Sequence, residues 1–95
     1  MQTWSFLTNH ARALLFIAQD PDTRLRDIAE ALGITERSAY SIVADLTTAG
    51  YVVKTKDGRR NRYHIEPDRE LSDPVIPHRT TGHLLQLLGD RSLQD

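Results

Sequence analysis

The chain contains no cysteine. That absence removes a disulfide framework, a thiolate zinc site and a cysteine nucleophile together, and it fits a reducing cytosol. The N-terminus lacks a basic segment followed by an apolar run, and no stretch approaches the roughly twenty apolar residues that a spanning helix needs. A cytoplasmic protein with no membrane partner is therefore expected. Also missing are a glycine-rich phosphate loop, a nucleophile turn and a zinc-helix motif, so isolated serines, histidines and aspartates do not make an enzyme. His10, His64, His78 and His83 are scattered along the chain, and neither a metal nor a cofactor is expected.

What remains is a 95-residue chain, 39% hydrophobic and 26% charged, which suits one soluble globular domain. Its net charge of -1 conceals an uneven distribution. Residues 1–50 carry -2, residues 51–65 carry +4 and residues 66–95 carry -3. Lys54, Lys56, Arg59, Arg60 and Arg62 thus concentrate the positive potential where a polyanion would first meet the molecule.

Residues 25–50 organise the rest. Leu25, Ile28, Ala29 and Leu32 fall at the spacing of one apolar helical stripe, and Gly33 follows where a helix ends in a left-handed residue. Thr35 then offers an N-cap for a second helix whose stripe is Ala39, Ile42, Val43 and Leu46, ending near Gly50. Small Ala29 and Ala39 allow close crossing. The opposite face of the second helix carries Glu36, Arg37, Ser38, Ser41, Ala44, Asp45 and Thr48, which cannot form a core. Such a face has the shape of a helix that enters a DNA major groove; an ordinary helical hairpin with a solvated face has the same pattern.

Before this unit, Trp4, Phe6 and Leu7 give the N-terminus a heavy apolar load that needs a surface to pack on. Thr8 or Asn9 can cap a helix with Ala11, Leu14, Leu15 and Ala18 as its stripe and Phe16 and Ile17 between, which is covered on more than one side. It lies either at the centre of the domain or partly against a second copy. Pro21 ends it, and residues 23–25 are expected to be extended before a helix beginning near Arg26.

After Gly50, residues 51–56 and 62–65 read as two strands of a hairpin with Tyr63 and Ile65 on the inner face. Asp57-Gly58 marks the turn, with a loop expected to reach Asn61 and with Arg59 and Arg60 at its tip. Residues 67–79, punctuated by Pro67, Pro74 and Pro77, read as a linker or wrapping arm. Thr80 or Thr81 can cap a final helix over residues 83–88, and residues 89–95 are expected to fray. Leu84, Leu85, Leu87 and Leu88 need a partner surface, either the domain's own core or another subunit. The division is therefore 1–66, 67–79 and 80–95.

This order of helix, helix, turn, helix and hairpin resembles the winged helix-turn-helix regulators of bacteria and archaea, the group that includes the MarR-like and ArsR-like families. The residues that carry the resemblance run from Ile28 through Gly33 to Thr35, then Ala39, Ile42, Asp45, Leu46, Ala49 to Val52, and Asp57 through Tyr63. The resemblance implies a mainly α fold with a small β-hairpin: a three-helix core, a basic wing and a short C-terminal helix. It makes residues 36–49 the recognition helix, with Arg37, Ser38, Tyr40 and Ser41 as groove or backbone contacts. Thr35 would cap that helix beside a phosphate. Arg59, Arg60 and Arg62 become wing contacts, with Lys54 and Lys56 adding non-specific attraction.

The function implied is sequence-specific binding of double-stranded DNA by a homodimeric transcriptional regulator, two recognition helices reaching successive major grooves about 34 Å apart. Trp4, Phe6, Leu84, Leu85, Leu87 and Leu88 are the candidate dimerisation residues. The recognition helix has one basic residue, Arg37, against Glu36 and Asp45; Asp45 is expected to pair with a scaffold arginine, and Glu36 suits the helix N-terminus. Those two acids also motivate the alternative of a winged-helix module that holds a protein partner without DNA. Little chain remains for an effector pocket of the MarR kind.

Overall fold

The computed structural model describes residues 4–89. Its elements are α1 (Asn9–Gln19), α2 (Leu25–Leu32), α3 (Glu36–Thr48), β1 (Val52–Asp57), β2 (Arg60–Ile65) and α4 (Thr81–Leu84), the last running into one π-helical turn, Leu85–Gly89. This is a winged helix: three helices, an antiparallel hairpin and a short C-terminal helix.

Thr8 is the residue that caps α1, its hydroxyl accepting from the Ala11 N–H at 3.1 Å. The buried face of α1 is Ala13, Leu14 and Ile17 rather than the expected Ala11, Leu14, Leu15 and Ala18 stripe. The difference arises because α1 packs against α2, α3, β2 and the π turn of its own chain, so its most central line is set by the neighbours on all sides. Ile17 and Ile28 are fully buried in one core with Leu14, Leu32, Ile42, Val43 and Leu46. Burying each such aliphatic side chain contributes about 1.5–3 kcal/mol relative to leaving it in water.

The punctuation between helices is local. Gly33 takes φ +73°, and the Ile34 N–H reaches the Ala29 carbonyl at 3.0 Å while Gly33 N–H reaches Glu30, closing α2 with a left-handed cap. The guanidinium of Arg12 also donates to the last carbonyl of α2, that of Leu32, at 3.3 Å. Gly50 at φ +87° ends α3 similarly, with Tyr51 N–H on the Leu46 carbonyl at 2.9 Å. That bond turns the chain directly into β1.

The hairpin corrects the expected loop. Its register pairs Asp57 with Arg60 and Val52 with Ile65, so only Gly58 and Arg59 form the loop and Asn61 lies within β2. Gly58 adopts φ +67° while Arg59 does not have positive φ, the pattern of a tight II′ turn whose twist matches the strands. Arg60 is therefore the first residue of a strand and not part of the tip. Val52 and Tyr63 are buried, at 1% and 3% exposure, and anchor the inner face.

Residues 66–82 fold back on themselves as an arm. Leu71 N–H donates to Arg79, Thr81 N–H to Arg69 and Gly82 N–H to Pro67, each at 2.8–2.9 Å, and the buried Thr81 hydroxyl donates to the Glu66 carbonyl. The Arg69 guanidinium lies 5.4 Å from the centroid of the Tyr51 ring, which holds the arm against the end of α3. Thr80 caps α4, which starts at Thr81, before the expected residue 83. Leu84 packs on the core and Leu85 is half-buried, whereas Leu87 is 71% and Leu88 46% exposed. The expected frayed tail beyond Gly89, and residues 1–3, lie outside the described residues.

The arm's closure depends on one close approach. A Cβ at Gly82 would stand 2.9 Å from the Pro67 carbonyl oxygen. Gly82→Ala is expected to destabilise the fold by about 1–3 kcal/mol in thermal or urea unfolding.

Candidate nucleic-acid interface

Helix α3 buries Ala39, Ile42, Val43 and Leu46 and leaves Arg37, Ser38, Tyr40, Ser41, Ala44, Asp45 and Thr48 exposed. At its start the Thr35 hydroxyl accepts from the Ser38 N–H at 3.0 Å and donates to the Ser38 hydroxyl at 3.0 Å. The two hydroxyls are thereby oriented at the positive end of the helix, with Glu36 in its first turn. Arg37 has no hydrogen-bond or ion-pair partner among the described residues, and Tyr40 is 62% exposed.

Asp45 does not pair with an arginine. Its carboxylate accepts from Nε2 of His10 at 2.8 Å, across 35 residues of sequence. The nearest basic group is set by the crossing of α1 over α3, which brings the first turn of α1 beside the middle of α3. Asn9 and His10 consequently line one groove with Arg37, Ser38, Ser41 and Asp45.

The wing's five cations divide by partner. In the hairpin register Lys54 pairs with Tyr63 and Lys56 with Asn61, so these share one face; Arg60 and Arg62 share the other with Asp57 and Thr55. Arg60 donates from Nη2 to the Asp22 carbonyl at 2.7 Å, and Arg62 Nε lies 3.2 Å from the Asp22 carboxylate. Arg59, Lys54 and Lys56 have no such tie among the described residues.

A second groove brings together what the sequence keeps apart. Arg24 and Arg26 at the start of α2, Glu36 of α3, and Arg59, Arg60 and Asn61 of the wing line it, over Tyr63. Four arginines and one glutamate thus line one concavity. Arg24 and Arg26 escaped the sequence reading because they belong to a segment of net charge -2. The available signal was that both fall off the Leu25, Ile28, Ala29 and Leu32 stripe, where a side chain must project outward. The backbone at Arg24 is held by Asp27, whose carboxylate accepts its N–H at 3.4 Å.

Of the other expected residues, Trp4 and Phe6 form an edge-to-face pair with centroids 4.9 Å apart, both exposed. Among the described residues no group of three or more His, Cys, Asp or Glu is placed to hold a metal, and no helix is long and apolar enough to cross a membrane.

The MarR family model matches residues 5–62, from the N-terminal segment through the wing. The chain belongs to the MarR family. Members of that family are DNA-binding transcriptional regulators and are generally not enzymes. Two solved structures share the fold. CymR (YrzC), the global cysteine regulator of B. subtilis, is similar over 93% of this chain and 67% of its own, at 23% identity and a TM-score of 0.50. A Listeria innocua protein described as a transcriptional regulator is similar over 100% of this chain and 95% of its own, at 17% identity and a TM-score of 0.53. No curated protein shows a significant match.

In this MarR-family chain, burial raises the Tyr63 phenol above its ordinary value of 10.0. The folded state therefore holds the phenolic proton more tightly than the unfolded chain. The stability tied to it is fully present below pH 10 and is lost as pH rises toward the folded value. Tyr63→Phe is expected to flatten that alkaline loss when urea midpoints are compared between pH 9 and pH 11.

Proposed function

We propose that this MarR-family regulator binds double-stranded DNA sequence-specifically as a homodimer, with α3 in the major groove and the wing along the backbone or minor groove. The observation that carries the reading is the placement of Arg24, Arg26 and Arg59 beside the exposed start of α3. In this reading Arg37 reads a base edge, guanine O6 and N7 being the geometry that suits a guanidinium. Thr35, Ser38 and Ser41 hydroxyls and the α3 amides take phosphate oxygens. Tyr40 packs on the sugar-phosphate edge, and Lys54 and Lys56 supply sequence-independent attraction.

The homodimer rests on exposed apolar side chains: Trp4, Phe6, Leu87 and Leu88. Leu84 packs on the chain's own core and Leu85 is half-buried, and both would support such an interface from beneath.

The test is anisotropy of a labelled random duplex at several salt concentrations. Wild type should show a linear dependence of log affinity on log salt. Arg24→Ala/Arg26→Ala should flatten the slope by roughly 1.8, and Arg59→Ala by about 0.9, one phosphate each. Binding that is absent at low salt would contradict the reading. Loss of a protein partner on charge reversal at Glu36 and Asp45, with the arginine variants silent, would favour a protein-docking module instead.

A further inference from the structure

Three contacts from one strand converge on the turn between α1 and α2. The Asp22 carbonyl accepts from Arg60 Nη2 at 2.7 Å, the Asp22 carboxylate forms an ion pair with Arg62 Nε at 3.2 Å, and the Pro21 carbonyl accepts from the Tyr63 N–H at 3.1 Å. The pattern is dictated by the hairpin. Asp57 and Arg60 close the tight turn as a hydrogen-bonded pair, so along the antiparallel ladder Lys54 and Tyr63 form a non-hydrogen-bonded pair. The Tyr63 N–H is then turned away from β1 and toward Pro21. Arg60 and Arg62, two residues apart, project from one face of β2 toward the same residue.

We infer that Asp22 is a positioning residue for the wing: it anchors the hairpin to the α1–α2 turn and masks Arg62 from the DNA backbone. The charge argument separates the two arginines. Arg60 meets a neutral carbonyl and keeps its full charge in a restrained direction. Arg62 meets a carboxylate, so the pair offers a phosphate no net charge, and a phosphate approaching Arg62 also approaches Asp22. Of the wing arginines, Arg59 is then the one both charged and untied. Asp22 is well placed for this because it is itself held: its N–H donates to the Asp20 carboxylate at 3.2 Å, directly after the end of α1.

The anchoring stands on the free protein alone; the masking rests on the DNA reading above, and the experiment has an arm for each. In the full chain without DNA, native-state amide exchange is followed at Tyr63. Asp22→Ala should accelerate it roughly two- to fivefold, the range of an exposed ion pair, and Arg59→Ala should leave it unchanged. Unchanged exchange in Asp22→Ala overturns the anchoring.

In the second arm the salt slope of random-duplex binding is compared across variants. Arg62→Ala alone should match wild type, Asp22→Ala should be steeper by about 0.9, and Asp22→Ala/Arg62→Ala should return to wild type. A slope that flattens by about 0.9 in Arg62→Ala and does not change in Asp22→Ala overturns the masking, because Arg62 then reaches a phosphate despite its partner. If no variant binds duplex while Tyr63 exchange still responds to Asp22→Ala, the DNA reading fails and takes the masking with it, and the anchoring survives.

Discussion

The packing of α3 on α1 and α2 is the constraint from which the rest of the molecule follows. Ala39 is fully buried and Ala29 nearly so, with Ile42, Val43 and Leu46 continuing the same contact. Two alanines at a helix pair joined by a three-residue turn let the backbones come close, and that leaves α3 one rotational setting about its axis. Glu36, Arg37, Ser38, Tyr40, Ser41, Asp45 and Thr48 are consequently exposed, and the left-handed glycine after the helix aims the next residues into β1. The wing, tied through Asp22 and Pro21 to the turn before α2, then stands beside the start of both helices.

Electrostatically the protein is a near-neutral molecule with a local basic concavity. A net charge of -1 would give little attraction to a polyanion at distances beyond a Debye length of about 8–10 Å. Close in, the arginines at the start of α2 and on the wing act together on one side, while the acids of residues 66–73 lie on the arm. In the proposed complex α3 supplies hydroxyls, backbone amides and a single guanidinium, with His10 covering Asp45. Attraction to the backbone then comes mainly from the flanks, and base reading from few side chains.

Much of the fold was legible because its signals are local. The stripe of Leu25, Ile28, Ala29 and Leu32, the left-handed Gly33 and the Thr35 cap are each a matter of neighbours three or four residues apart, and all three appear in the structure. The hairpin was legible in kind and wrong in loop length, because Asp-Gly fits several loop lengths and ladder pairing selects among them. Long-range pairings were not legible. His10 finds Asp45 and Arg62 finds Asp22 only after the helices are packed. Arg24 and Arg26 were hidden by averaging charge along the chain, since residues distant in sequence share one groove. The course of the arm is not legible in its residues, because proline-rich polar sequence excludes helix without specifying which carbonyls its few amides will find.

The measurement that bears most directly on the account is a hydroxyl-radical footprint on a duplex selected from a random pool by the protein. The account requires paired protections with centres about one helical turn, 10–10.5 base pairs, apart, with the flanking backbone protection lost in Arg24→Ala/Arg26→Ala. A selection that yields no preferred duplex, or a footprint indifferent to those arginines, would contradict it.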